Sequence, residues 1–256
     1  MEKKRVILFK KSDDAYRNLF EKQYKPDFIP VLDHALDNVE ALAIILSQGP
    51  QDCKGLILTS QRSVEAINQA YNICRMTDKT HEEWNTLPIY IVGPKTADVL
   101  AQSPLFQSHD HRHWVIAPRA SELIKDLLNS SHYLFLAGDK RRDLIPEALH
   151  EAHIPFHEVQ TYATCPHPEL KNRMKHLDYH EGEWLVFFSP SGIKFIKDAS
   201  PDSMSTLFGG LFRIAAIGPT TADFITKDLN FQVDVVADKP DAEHLFDAMV
   251  QFDTNQ

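Results

Sequence analysis

Short apolar runs alternate with amphipathic stretches along almost the whole chain. β-branched and aromatic residues cluster at Arg5–Phe9, Leu56–Thr59, Ile89–Val92, Trp114–Ala117, Tyr133–Ala137, Trp184–Phe188, Phe212–Ile217 and Val233–Val236. Each run is short enough to predict a strand. Between them, apolar residues recur at helical spacing over Ser63–Cys74, Leu144–Ala152 and Ala242–Phe252. Strand and helix in alternation predict an α/β architecture, with parallel sheets covered by helices on both faces. Two polar stretches, Met76–Thr86 and Gln102–His113, read as loops.

The pattern also repeats at about half the chain length. Leu56-Ile-Leu-Thr-Ser-Gln-Arg-Ser-Val-Glu-Ala-Ile67 matches Leu185-Val-Phe-Phe-Ser-Pro-Ser-Gly-Ile-Lys-Phe-Ile196, and Ile89-Tyr-Ile-Val-Gly-Pro-Lys-Thr-Ala-Asp98 matches Ile214-Ala-Ala-Ile-Gly-Pro-Thr-Thr-Ala-Asp223. Val6-Ile-Leu-Phe9 pairs with Leu134-Phe-Leu-Ala137, each followed by a helix and a second strand, Phe28–Leu32 in one copy and Phe156–Tyr162 in the other. Trp114–Ala117 with the helix around Glu122 pairs with Val233–Ala237 and the helix around Glu243. Repetition this extensive implies two copies of one supersecondary plan.

The order of the copies implies how they close into domains. Residues 36–159 form one continuous domain, and residues 1–32 with 166–256 form the same domain as a circular permutation. Linkers at 33–35 and 160–165 make a paired hinge, extended because Pro30 and Pro166 disfavour helix before them. Two linkers predict a cleft between lobes, the usual place for a ligand and for domain motion.

Composition narrows the ligand. The chain has 256 residues, 43% apolar and 25% charged, with net charge −9, which suits a globular protein with a substantial core and argues against nucleic acid as partner. A local pocket of backbone N–H groups and a few cations still binds a small polyanion, since screening limits distant charges to about 8 Å. No apolar run reaches the roughly 20 residues of a membrane helix. The basic start, Lys3-Lys4-Arg5, precedes too few apolar residues for a signal segment, so a cytoplasmic protein is expected. Cys53, Cys74 and Cys165 show no paired spacing and read as reduced thiols. His109, His111 and His113 alternate, but no carboxylate or thiol spacing completes a metal site, so a solvated loop is expected.

The candidate chemistry sits in four turns. Gly93-Pro-Lys-Thr96 and Gly218-Pro-Thr-Thr221 each follow a strand and open a helix, with Pro placed where its missing N–H costs nothing. Thr59-Ser-Gln-Arg62 and Ser189-Pro-Ser-Gly192 do the same one strand away. Helix starts at the carboxyl ends of strands attract anions, each carboxylate gaining roughly 0.3–1 kcal/mol. Ser60, Arg62, Thr96, Ser189, Ser191, Thr220 and Thr221 are thus substrate-binding candidates, and Lys140-Arg141-Arg142 adds cations at another strand end. For each hydroxyl, a plain N-cap role is equally consistent. The chain has no G-x-G-x-x-G after a strand, no Walker loop, no H-E-x-x-H and no G-x-S-x-G, so no nucleotide, nicotinamide or metal cofactor is expected.

Leu58-Thr-Ser-Gln-Arg-Ser-Val-Glu-Ala66, Phe187-Phe-Ser-Pro-Ser-Gly192 and Ala215-Ala-Ile-Gly-Pro-Thr-Thr-Ala222, supported by Arg142-Asp-Leu-Ile-Pro-Glu-Ala-Leu149 and Val159-Gln-Thr-Tyr162, together resemble the uroporphyrinogen-III synthase family over nearly the full length. The resemblance implies two flavodoxin-like, HemD-like parallel-sheet domains joined by a two-stranded linker, and a cofactor-free enzyme acting on hydroxymethylbilane, a linear tetrapyrrole with acetate and propionate arms. It implies loss of the ring A hydroxyl, attack on ring D through a spiro intermediate, and closure with ring D inverted. The matching family tyrosine falls on Tyr162. A phenol stays protonated at neutral pH and can donate to the departing oxygen. A connector tyrosine that merely packs is the competing reading. The resemblance also places Ser60, Thr96, Thr220 and Thr221 at polar positions that orient carboxylates or pyrrole N–H groups. The expected state is a monomer, because the duplication supplies both lobes of the site. A non-catalytic two-lobed module that binds small anions or tetrapyrroles is the alternative.

Overall fold

The computed structural model describes residues 3–128, 132–140 and 143–255. Its strands are β1 (Arg5–Leu8), β2 (Lys25–Phe28), β3 (Leu32–Leu36), β4 (Gly55–Leu58), β5 (Ile89–Val92), β6 (Trp114–Ala117), β7 (Tyr133–Gly138), β8 (Phe156–Pro166), β9 (Trp184–Phe187), β10 (Arg213–Ala216) and β11 (Val235–Val236). The chain divides into two compact units, Met1–Asp33 with Cys165–Gln256, and His34–Thr164.

The first unit holds a sheet of order β11-β10-β9-β1-β2, the second a sheet of order β3-β8-β7-β4-β5-β6. Every register from β1–β2 to β10–β11, and from β7–β8 to β5–β6, is parallel. The repeated segments occupy equivalent places. Reading β1 as β7, β2 as β8, β9 as β4, β10 as β5 and β11 as β6 superimposes one strand order on the other, with β3 added outside β8. In chain order the first unit runs 2-1-3-4-5, the flavodoxin-like arrangement, and the second is its circular permutation. The α/β parallel-sheet architecture expected from the alternation is therefore present.

Both faces of each sheet are buried, which explains apolar runs without polar alternation. In the first unit Ile7, Phe9, Leu185 and Phe187 pack on one face, while Val6, Leu8, Trp184 and Val186 pack on the other. In the second, Leu56, Leu58, Leu134 and Leu136 face one layer, and Ile57, Tyr133 and Phe135 face the opposite one. Pro26 is tolerated because β2 is an edge strand.

Several sequence expectations shift. The second strand of the first copy ends at Phe28 rather than spanning to Leu32, because Pro30 separates β2 from β3. The strand expected at Val233–Val236 is reduced to Val235–Val236. The stretch Met76–Thr86 is not a loop: Asp78–Thr86 is a helix whose N-cap Thr77 accepts from the Thr80 amide, with Trp84 fully buried and its indole N–H donating to the Leu46 carbonyl at 2.9 Å. One cap, one buried ring and the buried Asn85, whose amide donates to the Leu105 carbonyl at 2.9 Å, hold this helix, too few apolar positions to show periodicity. The stretch Gln102–His113 contains two short 3₁₀ turns, Pro104–Phe106 and His111–His113. Leu105 and Phe106 are buried there, and so is His109, 5% exposed, contrary to a solvated loop.

Candidate active site

In doubly wound parallel sheets, ligands bind beyond the carboxyl ends of the strands, where the strand order reverses. In the second unit that point lies between β7 and β4. Beyond β4, Ser60 caps the helix Gln61–Ile73, its Oγ accepting from the Arg62 amide at 3.1 Å. Beyond β5, Gly93 has φ +88°, a conformation that favours glycine, and leads into the helix Pro94–Leu100. Beyond β6, Arg119 precedes the helix Ala120–Leu127. In the first unit, Ser189 caps the helix Pro190–Ala199 by accepting from the Gly192 amide at 3.0 Å, and Gly218 precedes the helix Pro219–Asp223.

The substrate-binding candidates therefore lie at or just beyond carboxyl ends of strands, but in different states. The hydroxyls of Ser60 and Ser189 cap their own helices. Arg62 is paired with Glu65 at 2.7 Å within its helix. Thr96 and Thr221 are almost wholly buried, whereas Thr220 is exposed and Ser191 half-buried. Lys140 is exposed at the turn after β7, and the rest of its basic run, Arg141 and Arg142, lies outside the described residues.

Tyr162 stands apart from this group. It lines a cavity of about 400 Å³ in the second unit, together with Thr59, Val92, Arg119, Ser121, Phe135 and Leu144. Its side chain is half-buried, its ring meets His34 edge-on at 6.0 Å between centroids, and its hydroxyl has no hydrogen-bond partner among the described residues. Arg119, which the sequence reading passed over, is the cation of this cavity wall and has no ion-pair or hydrogen-bond partner among the described residues. An apolar pocket with one unpaired guanidinium and one unpaired phenol suits an apolar ring carrying carboxylates. Arg119 follows directly on β6 in the chain. The strand-end position was the available signal, and the other copy carries a cation at the matching place, Lys239, two residues past Ala237.

A wider depression of about 830 Å³ lies at the opposite, amino-terminal end of the first unit's sheet. Its central cation is already matched: Arg5 pairs with Asp27 at 2.5 Å and with Glu183 at 3.7 Å. The smaller cavity, at the carboxyl ends and with unpaired groups, is the better site.

His109 belongs to the core instead. Trp114 donates its indole N–H to Nδ1 at 3.0 Å, and Nε2 lies 2.8 Å from the Leu87 carbonyl. Burial pushes the imidazole below its ordinary pKa.

The family model described as uroporphyrinogen-III synthase HemD matches residues 13–247. Uroporphyrinogen-III synthase of Saccharomyces cerevisiae is 32% identical, covering 97% of this chain and 96% of that protein. Uroporphyrinogen-III synthase of Schizosaccharomyces pombe is likewise 32% identical, over 94% of this chain and 92% of its own. The crystal structure of uroporphyrinogen-III synthetase from Helicobacter pylori shares the fold, with TM-score 0.59 at 18% identity over 98% of this chain and 99% of that one. By the extent of these matches and by its permuted pair of parallel sheets, the chain belongs to the uroporphyrinogen-III synthase HemD family.

Proposed function

We propose that this protein cyclises hydroxymethylbilane to uroporphyrinogen III, losing water and inverting ring D. Family membership over nearly the whole chain supports the reaction. The observation that carries the chemistry is the phenol of Tyr162, free of any hydrogen-bond partner among the described residues and lining a cavity that also presents Arg119. Tyr162 donates a hydrogen bond to the departing hydroxyl of ring A, and the resulting electron-poor ring is attacked by the substituted carbon of ring D. The spiro intermediate opens by breaking the bond from that carbon to the bridge toward ring C. It closes as the bridge carbon bonds the free α carbon of ring D, whose departing proton, with the ring A hydroxyl, makes up the water lost and leaves ring D inverted. Because the bilane also cyclises spontaneously without inversion, the protein acts chiefly by holding the chain in the reactive fold.

The remaining candidates orient the substrate. Ser60, with Arg62 and Lys140, in the second unit, and Ser189, Ser191 and Thr220 in the first, offer hydroxyls, helix-start amides and positive charge to carboxylate arms, while Thr96 and Thr221, almost wholly buried, act through the helix starts they hold. Thr220, which is exposed, is the readiest of these. Operation as a monomer in the cytoplasm, without cofactor, is part of the same proposal.

The competing reading is a module that binds the tetrapyrrole without converting it. Titration of the protein with hydroxymethylbilane, with product followed in parallel, separates the two. Enzymatic turnover is expected, and saturable binding with only spontaneous cyclisation would overturn the proposal.

A further inference from the structure

The pairing of β7 with β8 slips just where Tyr162 emerges. Ala137 pairs with Gln160, but the next residue, Gly138, pairs with Tyr162, leaving Thr161 as the extra residue of a bulge. A bulge turns the strand and redirects its side chains. Thr161 is fully buried, its hydroxyl donating toward the Ala137 carbonyl and the Ser63 Oγ, each at 3.1 Å. Ser63 in turn donates to the Leu136 carbonyl at 3.2 Å. Past the bulge, the Asp139 amide donates to the Tyr162 carbonyl at 3.1 Å, and the Asp139 carboxylate accepts from the Thr164 amide at 3.1 Å and from its hydroxyl at 3.2 Å. Backbone on both sides of Tyr162 is thus fastened to the end of β7.

The ring itself rests on Gly138. A Cβ added there would overlap Cζ and Cε2 of Tyr162 and lie 2.7 Å from its hydroxyl oxygen. Gly138 does not have the positive φ of Gly93, so its backbone conformation is open to other residues. The requirement for glycine is steric. The other copy gives the comparison: the repeat aligns Gly138 with Lys10, whose side chain fills that position and turns to pair with Asp13 at 2.9 Å and to lie over the Tyr16 ring at 3.5 Å. The first unit thus carries a side chain at the matching position and the second, where the Tyr162 ring lies, does not.

We infer that Gly138 is a positioning residue for catalysis, its missing side chain forming the seat that fixes the Tyr162 hydroxyl over the cavity. The inference rests on the proposed role of Tyr162 as proton donor. A methyl group at Gly138 displaces the end of the phenol, and misplacement by about 1 Å suffices for a loss on the order of 100-fold in rate.

The test compares the full-length wild type, Gly138→Ala, Tyr162→Ala and the double variant by kcat and KM for type III product and by melting temperature. Gly138→Ala is expected to lower kcat by about 100-fold with KM near wild type, and to change kcat by less than about twofold once Tyr162 is already Ala, because the ring it strikes is gone. The melting temperature lost in Gly138→Ala is expected to return in the double variant. Equal losses in both backgrounds, or a stability loss that persists in the double variant, would overturn this inference alone. Should Gly138→Ala fail to fold, the double variant decides: a folded protein with the activity of Tyr162→Ala supports the inference, and an unfolded one overturns it. Undiminished turnover in Tyr162→Ala would remove the acid role, and this inference with it.

Discussion

Trp114 donates its indole N–H to Nδ1 of His109 at 3.0 Å, which leaves the proton of a neutral imidazole on Nε2, facing the Leu87 carbonyl 2.8 Å away. Both nitrogens are satisfied in the neutral ring. Protonation would put a hydrogen on Nδ1 against the Trp114 donor, with only the Asp110 carbonyl at 3.0 Å to accept it, inside a site that is 5% exposed and where burial outweighs that bond.

Stability should therefore depend on pH through His109. Its folded pKa lies below the ordinary value, chiefly through burial, so between the two values the unfolded chain binds more protons and stability rises with pH. The contribution is complete above about pH 6.5 and is lost as pH falls from there toward the folded value. Thermal melts from pH 8 down to about 5 check this. His109→Gln should melt lower at pH 8 yet lose less on acidification, and an unchanged acid slope would assign the effect to other groups.

A second prediction concerns Asp253, whose side chain is 9% exposed. It accepts from Lys4 and Tyr24 at 2.9 Å, from the Trp184 indole at 3.1 Å, and from Arg213. The last turn of the helix Ala242–Thr254 is thereby tied to the start of β1 and the amino ends of β9 and β10. Asp253→Ala takes the shared carboxylate away from Lys4, Arg213, the Tyr24 hydroxyl and the Trp184 indole N–H, at a cost of about 3 kcal/mol, which in a chain of this size lowers Tm by roughly 10 °C. Calorimetry checks this. A fall of only 1–2 °C, within about the effect of an ordinary surface substitution, would show that solvent replaces the carboxylate.

Tyr162→Phe removes one oxygen and keeps the ring on Gly138. Formation of the inverted isomer should slow by about 100-fold, the scale of general acid assistance, with Tm and KM little changed. Steady-state kinetics with the melting curve of the same preparation distinguish this from packing: a rate within twofold of wild type would leave Tyr162 a structural residue.

Arg119→Gln removes the cavity-wall cation that has no partner among the described residues. A charged hydrogen bond contributes about 1.5–3 kcal/mol, so KM should rise by roughly tenfold or more while kcat changes less. The wild-type KM should also climb with added salt more steeply than that of the variant. Equal KM values in the two proteins would place the substrate carboxylates elsewhere.

The sheets were legible because burial on both faces writes an unbroken apolar run into each strand, and the duplication showed each run twice. Leu56–Leu58 and Leu185–Phe187 occupy equivalent central strands, as the repeat implied. The helix Asp78–Thr86 was hidden because Trp84 is the one apolar residue it buries. His109 was hidden because a core histidine satisfied by an indole and a carbonyl leaves no sequence signal separate from its solvated neighbours His111 and His113. At the site, turns that cap helices were readable from Ser60, Ser189, Gly93 and Gly218, since capping chemistry is local. Cavity walls are not: Arg119 meets Tyr162 through tertiary packing, and the Thr161 bulge depends on a register slip between strands that local pattern does not encode.

The most direct test is to generate hydroxymethylbilane in situ in the presence of the protein, oxidise the products and separate type I from type III uroporphyrin by chromatography. Type III should dominate and its formation should scale with protein concentration. Type I alone, formed at the spontaneous rate by protein shown to be folded, would contradict the account.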